Sequence, residues 1–287
     1  MFLSIFVNGL AMGMVYALLS LGLILLVRAT GALNMAQGDL MSIGAYVTFF
    51  LTSALRLPLM VMLAVSLVIF AILAAIFMLT TYLPVRKNKW IQARIVCTLG
   101  ASFIIKDALV LIFGPRTTVV PPIIRGNIRI FGAPIQIQYL FIIGVCLLVM
   151  LLIYFLFEKM YLGKAMQAAA QNPFAAETIG IPVIITILMT YIAVFAVAGI
   201  AGWLVVPTYY LSPNLSTYQL RAFAGCVIGG FGDIRGAIIG SLLVGLVEAA
   251  SVVVSSTYKD IIVYGLLILV LIVRPKGLFA SKQGVKV

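Results

Sequence analysis

The sequence predicts an all-α, polytopic bundle of about eight to nine transmembrane helices, some of them short and broken by glycine, in a single domain covering residues 1–287. Three observations predict it. Of 287 residues, 64% are hydrophobic and 9% are charged, against about 25% charged in soluble domains. The apolar runs are long and continuous, as at 63–79 and 261–273, which is the pattern of helices able to cross a bilayer. They lack the polar alternation over about ten residues that strands of a membrane barrel require.

The spans fall at 5–27, 40–55, 59–83, 95–113, 139–157, 183–206, a short 222–230, 237–254 and 261–273. The first run has no basic start and no small-residue cleavage pattern before Arg28, so it reads as a true span rather than a secretion signal. Residues 114–138 hold four prolines and read as an irregular outer loop. Residues 206–220, with Pro207, Pro213, Asn214 and three tyrosines, read as a second outer loop. Residues 158–182 form the largest inner connection, and 163–176 are small, polar and helix-favouring. One alternating set of connections carries eleven Lys and Arg and the other six, with Lys106 and Arg235 set aside as lying in or beside helices. The richer set is expected on the cytoplasmic side, which puts the N-terminus outside and the C-terminus inside.

Several chemistries are excluded. Histidine is absent, which removes imidazole acid–base catalysis and the common zinc sites. Cys97, Cys146 and Cys226 are far apart in apolar runs, the spacing of buried thiols rather than of a metal or disulfide framework. No metal site and no catalytic residue is expected. The net charge of +12 sits in short segments between spans, so it reads as a topology signal and not as nucleic-acid binding. No Gly-x4-Gly-Lys-Ser/Thr loop occurs, so any ATP-driven work needs separate nucleotide-binding chains.

What remains is where polar and small residues interrupt the spans. Gly9 and Gly13 are four apart, and Gly232, Gly236 and Gly240 continue the same interval after Gly225 and Gly229; on a helix this lets a second backbone approach. Residues 229–236, with Gly229, Gly230, Gly232, Gly236, Asp233 and Arg235, make a poor continuous helix and read as a break between a short and a long one. The segment 31–39, with Asn34, Gln37 and Asp39, is either a solvated turn or a polar turn dipping into the membrane. Glu248 and Asp107 lie in apolar helices, where a charge costs about 2.5–3.5 kcal/mol on insertion scales, so each is expected to face protein or water. Glu248 is either a structural acceptor or part of a polar route.

Together these segments resemble one family. Asn8-Gly9, Gly13 and Tyr16-Ala17-Leu18, followed by residues 31–38, are similar to the N-terminal half of LivH-type permeases, the membrane subunits of branched-chain amino acid ABC importers. Gly163-Lys164-Ala165-Met166-Gln167-Ala168 with Asn172, Ala176 and Gly180-Ile181 resembles that family's ATPase-contacting loop, with Gln167 where many relatives carry arginine. Ala222-Phe223, residues 229–232, Gly236-Ala237, Gly240, Gly245 and Glu248 match its glycine-rich signature, and Arg274-Pro275-Lys276-Gly277-Leu278-Phe279 its ending.

The resemblance implies a multi-pass permease of the bacterial inner membrane, embedded in lipid. Its partners would be a second homologous permease, two cytoplasmic ABC ATPases and a periplasmic substrate-binding protein, with no cofactor and no nucleic acid. Expected cargo is branched-chain amino acids, relatives also carrying other amino acids, urea, amides or organic acids. The route would be lined or shaped by Asn8, Tyr16, Asn34, Gln37, Asp39 and Glu248. Coupling to the ATPases would use Gly163, Lys164, Met166, Gln167, Ala168, Ala169, Gln171 and Asn172 within 158–182. The rival reading is an ion-coupled secondary transporter or passive channel, with Asp39, Asp107 and Glu248 as ion sites and the two breaks as halves of an inverted repeat.

Overall fold

The computed structural model describes residues 2–279 except Lys87, Lys89, Phe131 and Lys276. Of the lysines in the basic count, Lys87, Lys89, Lys276, Lys282 and Lys286 lie outside the described residues. The helices are α1 (Phe2–Thr30), α2 (Gln37–Ser53), α3 (Leu59–Phe77), α4 (Ile91–Phe113), α5 (Ile137–Glu158), α6 (Tyr161–Gln171), α7 (Pro173–Thr178), α8 (Val183–Val205), α9 (Thr217–Gly229), α10 (Ile234–Val254) and α11 (Lys259–Val273). A π-helical turn, Met78–Tyr82, prolongs α3. Helix limits follow local chemistry. Pro58 and Pro182 precede α3 and α8, and Pro173 opens α7 behind the Asn172 cap, positions where a missing N–H costs nothing. Gly114, with φ of 84°, ends α4.

Among the described helices, α1, α3 with its π-turn, α4, α5, α8 and α10 are long and apolar enough to cross a membrane alone. The fold is therefore an α-helical, multi-pass membrane bundle. Helix α1 is its axis: residues from Ala11 to Leu26 are buried without interruption, and α10, α8, α5 and α9 pack around it. A helix apolar on every face is stable only when surrounded. The peripheral helices expose apolar side chains instead, such as Leu111 on α4, Leu151 on α5 and Ile272 on α11.

Close backbone approach holds the centre. A Cβ on Gly245 would stand 2.3 Å from the Gly13 nitrogen, and one on Gly9 would stand 2.8 Å from the Ala249 Cβ. Gly229 and Gly236 meet where α9 and α10 fold back on each other, and Gly240 lies against the Gly225 carbonyl. The four-residue glycine interval is thus a packing face. A second such crossing, α2 on α8, rests on Gly44 against Gly199 and on Gly202 against the Met41 carbonyl.

The loops are more ordered than expected. Residues 114–138 contain a hairpin, β2 (Asn127–Ile130) with β3 (Ala133–Gln136), in register Asn127↔Gln136 and Ile130↔Ala133. Asn-Ile-Arg-Ile alternates polar and apolar residues, and the prolines lie outside β2, so its ladder can form. β1 (Thr118–Val119) pairs antiparallel with β4 (Tyr210–Leu211), so the two loops share one face of the bundle. At the opposite face Arg28 donates to the Gly232 carbonyl at 2.8 Å and Arg94 donates to the Thr30 carbonyl. There too the Leu278 and Phe279 amides donate to the Ile228 and Gly229 carbonyls, each at 2.9 Å, capping the end of α9. Residues 158–182 form two helices, α6 and α7, in place of one helical stretch.

Candidate functional site

Of the helices shorter than a bilayer core, which include the 15-residue α11, α2 and α9 are the two that start within the bundle. With 17 residues in α2 and 13 in α9, they reach about 26 Å and about 20 Å, against a hydrocarbon core of about 30 Å. Gln37, the first residue of α2, lies beside Gly22 of α1; a Cβ there would fall 2.5 Å from the Gln37 Nε2. Gly22 is eight residues from the end of α1, about 12 Å along the axis. The segment 31–36 therefore turns back into the bundle after α1 ends, as the dipping reading of this turn expected.

The N-terminus of α9 meets that of α2. The Gly38 amide donates to Gln219 Oε1 at 2.6 Å, Gln219 Nε2 donates to the Asn34 carbonyl at 3.0 Å, and the Leu215 amide donates to Ser42 Oγ at 3.2 Å. A Cβ on Gly38 would stand 2.6 Å from the Ser216 Cα, so no side chain fits between the two helix starts. Asn34 Oδ1 accepts from the Ala36 amide at 3.0 Å, and Asp39 accepts from the Ser102 hydroxyl. Around this junction, Gln37 Oε1 and Nε2, Asn34 Nδ2 and Asp39 Oδ1 are buried and have no hydrogen-bond partner. Nearly all buried polar groups in folded proteins are paired, so a concentration of unpaired amide and carboxylate atoms at one junction marks it out.

One turn further along α9 lies a charged cluster. Arg221 Nη1 is 2.9 Å from Glu248 Oε1, and Nη2 is 2.8 Å from Asp260 Oδ1. Tyr16 donates its hydroxyl proton to Glu248 and accepts from Arg221 Nη1 at 3.3 Å. The guanidinium carbon lies 5.7 Å from the Tyr218 ring centre, and Tyr218 contacts Tyr16 and Tyr209 edgewise or tilted. Tyr16, Arg221 and Glu248 are all buried, whereas the Asp260 side chain is about half exposed.

The expected site residues thus divide. Asn34, Gln37 and Asp39 gather at the helix junction, and Tyr16 and Glu248 join in the ion cluster. Asn8 stands apart near the start of α1, half-buried, its Oδ1 unpaired. Glu248 has a basic partner in Arg221, which lies inside α9, one residue before the short span expected at 222–230. Asp107 is exposed on α4 and makes no hydrogen bond or ion pair with the described residues. Gln219, Arg221, Tyr218 and Asp260 were missed. The available signal was Gln219 and Arg221 opening a short apolar segment behind a proline-rich loop, the counterpart of Gln37 and Asp39 opening the other short span.

The α6–α7 connection is seated by its small residues. A Cβ on Gly163 would collide with the Leu156 and Phe157 backbone at 2.3–2.4 Å, and Gln167 Nε2 donates to the Phe157 carbonyl at 2.7 Å. Gly163, Met166 and Ala169 are buried, while Gln167 and Ala168 are half-buried. Lys164, Gln171 and Asn172 are exposed, beside exposed Tyr161, Phe174 and Ile179. Asp233 accepts from the Arg235 amide at 3.0 Å and caps α10, so the break at 230–233 satisfies its own backbone as the sequence suggested.

The chain is similar to known transport proteins along its whole length. It is 30% identical to the high-affinity branched-chain amino acid transport system permease protein LivH of Escherichia coli K12, covering 100% of this chain and 98% of that one. It is 29% identical to BraD, the corresponding permease protein of Pseudomonas aeruginosa, with the same coverage. A probable LivH of Methanocaldococcus jannaschii is 27% identical over 91% of this chain and 87% of its own. Among solved structures, a chain of PsaBC from Streptococcus pneumoniae in complex with Fab shares the fold, with a TM-score of 0.52 at 14% identity, covering 94% of this chain and 91% of that one. Residues 5–271 match the family described as "Branched-chain amino acid transport system / permease component". With that match spanning every helix from α1 into α11, the chain belongs to the branched-chain amino acid permease family.

Proposed function

We propose that this chain is the translocating permease subunit of an ATP-driven importer of branched-chain amino acids in a bacterial inner membrane. It would work with a second homologous permease, two cytoplasmic ATPases that hydrolyse the nucleotide, and an external binding protein. The carrying observation is that a family match over 5–271 coincides with two short helices whose N-termini meet inside the bundle at Gly38 and Gln219. Helix N-termini carry partial positive charge, and in transporters such ends face anionic substrate groups. In this reading an amino acid's carboxylate is met by the amide donors of Asn34 and Gln37, and its ammonium by Asp39 Oδ1. Tyr16 and Glu248 shape the wall next to it, locked by Arg221. Asn8 flanks the outer entrance.

The chain would make nine traversals, the short helices α2, α9 and α11 each completing one together with their flanking segments, with the N-terminus outside and the C-terminus inside. The pairing of β1 with β4 supports this, because two crossings, α5 and α8, separate those loops. The bonds of Arg28 to Gly232 and of Arg94 to Thr30 support a common inner face for the other connections. The ATPases would press on the exposed side chains of α6 and α7, with Gly163, Met166, Gln167 and Ala169 transmitting the push to α5 and Lys164, Ala168, Gln171 and Asn172 nearest the motor. The test is uptake of labelled leucine, isoleucine and valine by cells carrying all subunits, with and without this chain. The reading expects uptake to vanish without it; undiminished uptake, or uptake by this chain reconstituted alone, overturns it.

A further inference from the structure

On the side of α1 away from the helix junction, α5 seats against the bundle in its outer half, where Ile142 and Cys146 are fully buried. Towards its inner end it leaves a groove of about 540 Å³ between α1, α5 and α10. Met14, Leu21, Leu147, Ile153, Ile238 and Leu242 line its walls, and Arg28, Glu158, Asp233 and Arg235 ring its mouth. From Leu147 to Glu158 the groove follows twelve residues of helix, a rise of about 17 Å. One leaflet of a hydrocarbon core about 30 Å thick is about 15 Å. A crossing helix of another protein would need both leaflets, and this groove serves one.

The mouth is charge-balanced, with two guanidinium groups and two carboxylates. Among the described residues they form no ion pair with one another, the ion pairs found being those of Arg221. Arg28 gives one N–H to the Gly232 carbonyl, and Asp233 accepts the Arg235 amide. Guanidinium groups match phosphate oxygens in a planar, two-bond geometry, and basic pockets between membrane helices hold lipid headgroups. A headgroup with phosphate alone would leave Glu158 and Asp233 facing an anion. A headgroup carrying phosphate and a hydrogen-bonding ammonium satisfies all four residues.

We propose that this groove holds one phospholipid of the leaflet on the α6 side, with a zwitterionic, primary-ammonium headgroup of the phosphatidylethanolamine type. Its phosphate lies between Arg28 and Arg235, its ammonium at Glu158 and Asp233, and one acyl chain lies against Leu21 and Ile238.

The test is native mass spectrometry of the full-length chain, purified with its companion subunits and equilibrated with mixed phosphatidylethanolamine, phosphatidylcholine and phosphatidylglycerol. One phosphatidylethanolamine per chain is expected to survive at activation energies that strip the other two. Arg28→Ala with Arg235→Ala should lower its retention at least tenfold. Because Arg28 also holds Gly232, Leu151→Trp is the second variant: it fills the groove, leaves the charges in place, and should expel the lipid as well. Leu269→Trp, on the exposed face of α11, should not. Equal retention of the three lipids, preference for phosphatidylglycerol, or retention unaffected by Leu151→Trp overturns the proposal. So does cross-linking of a cysteine at position 151 to a second permease chain in the assembled complex. Lipid retention is read independently of uptake, so the assignment as an importer can fail or stand separately.

Discussion

Arg221 is held by Glu248, Asp260 and the Tyr16 hydroxyl, and two of those three partners lie where no water compensates for their loss. Breaking a buried pair from one side leaves an uncompensated charge and costs about 3–5 kcal/mol, whereas replacing both partners with apolar residues is often neutral. Arg221→Met and Glu248→Leu are each expected to lower the thermal unfolding midpoint in detergent strongly, and the double variant to recover most of the loss. A double variant as unstable as the two losses added together would show that the pair is not the coupling. The cost of polarity made Glu248, Gln37 and Asp39 legible in the sequence, because each stands alone in apolar surroundings. Arg221 was hidden, since it stands next to a loop already rich in polar residues and its carboxylates lie on two later helices. Sequence spacing does not reveal which helices become neighbours.

At the scale of the helices, the small residues of α1 and α10 were readable because Gly9, Gly13, Gly236 and Gly240 keep a helical interval. The α2–α8 crossing was not. Gly44, Gly199 and Gly202 show no such interval, and their meaning appears only when Gly44 faces Gly199. The hairpin of β2 and β3 was equally hard to see, being two four-residue strands inside a proline-rich loop. Two predictions belong here. Gly245→Leu places a side chain where the Gly13 backbone already stands, and overpacking of this kind costs about 1–3 kcal/mol or more; the measurement is the yield of monodisperse protein, expected to collapse. Gly38→Ala is milder and more local. It forces the Ser216 backbone away from the start of α2, and it should reduce leucine uptake several-fold and lower the unfolding temperature, though by less than Gly245→Leu. Unchanged uptake by that variant would mean that the contact between the two helix starts is not used in transport.

For the molecule as a whole, the proposed sidedness and the proposed ATPase docking surface each have a direct test. The proposed topology puts the β1 and β4 loops together on the outer face: with native cysteines replaced, Tyr210→Cys should react with a membrane-impermeant maleimide in intact cells, and Phe174→Cys only after permeabilisation. The reverse pattern would invert the proposed topology. For the motor, Tyr161→Glu with Phe174→Glu should uncouple ATP hydrolysis from uptake in proteoliposomes, because those side chains project from the inner helices while Gln167 is occupied with the Phe157 carbonyl. Tightly coupled transport by that variant would move the docking surface elsewhere. The extent of the inner segment was legible from its low hydrophobicity. Which of its faces is outward was not, because alanine and glycine serve packing and exposure alike.

The capping of α9 by Leu278 and Phe279 reaches back into how the protein is made. A thirteen-residue helix carrying an arginine is a poor substrate for lateral release from the translocon into lipid, where arginine at mid-helix costs about 2.5–3.5 kcal/mol. It becomes tenable only when α10 delivers Glu248 and the stretch after α11 offers its amides to the Ile228 and Gly229 carbonyls. Nascent chains stalled before residue 278 should therefore carry an unfinished core, although most of their hydrophobic segments have already left the ribosome.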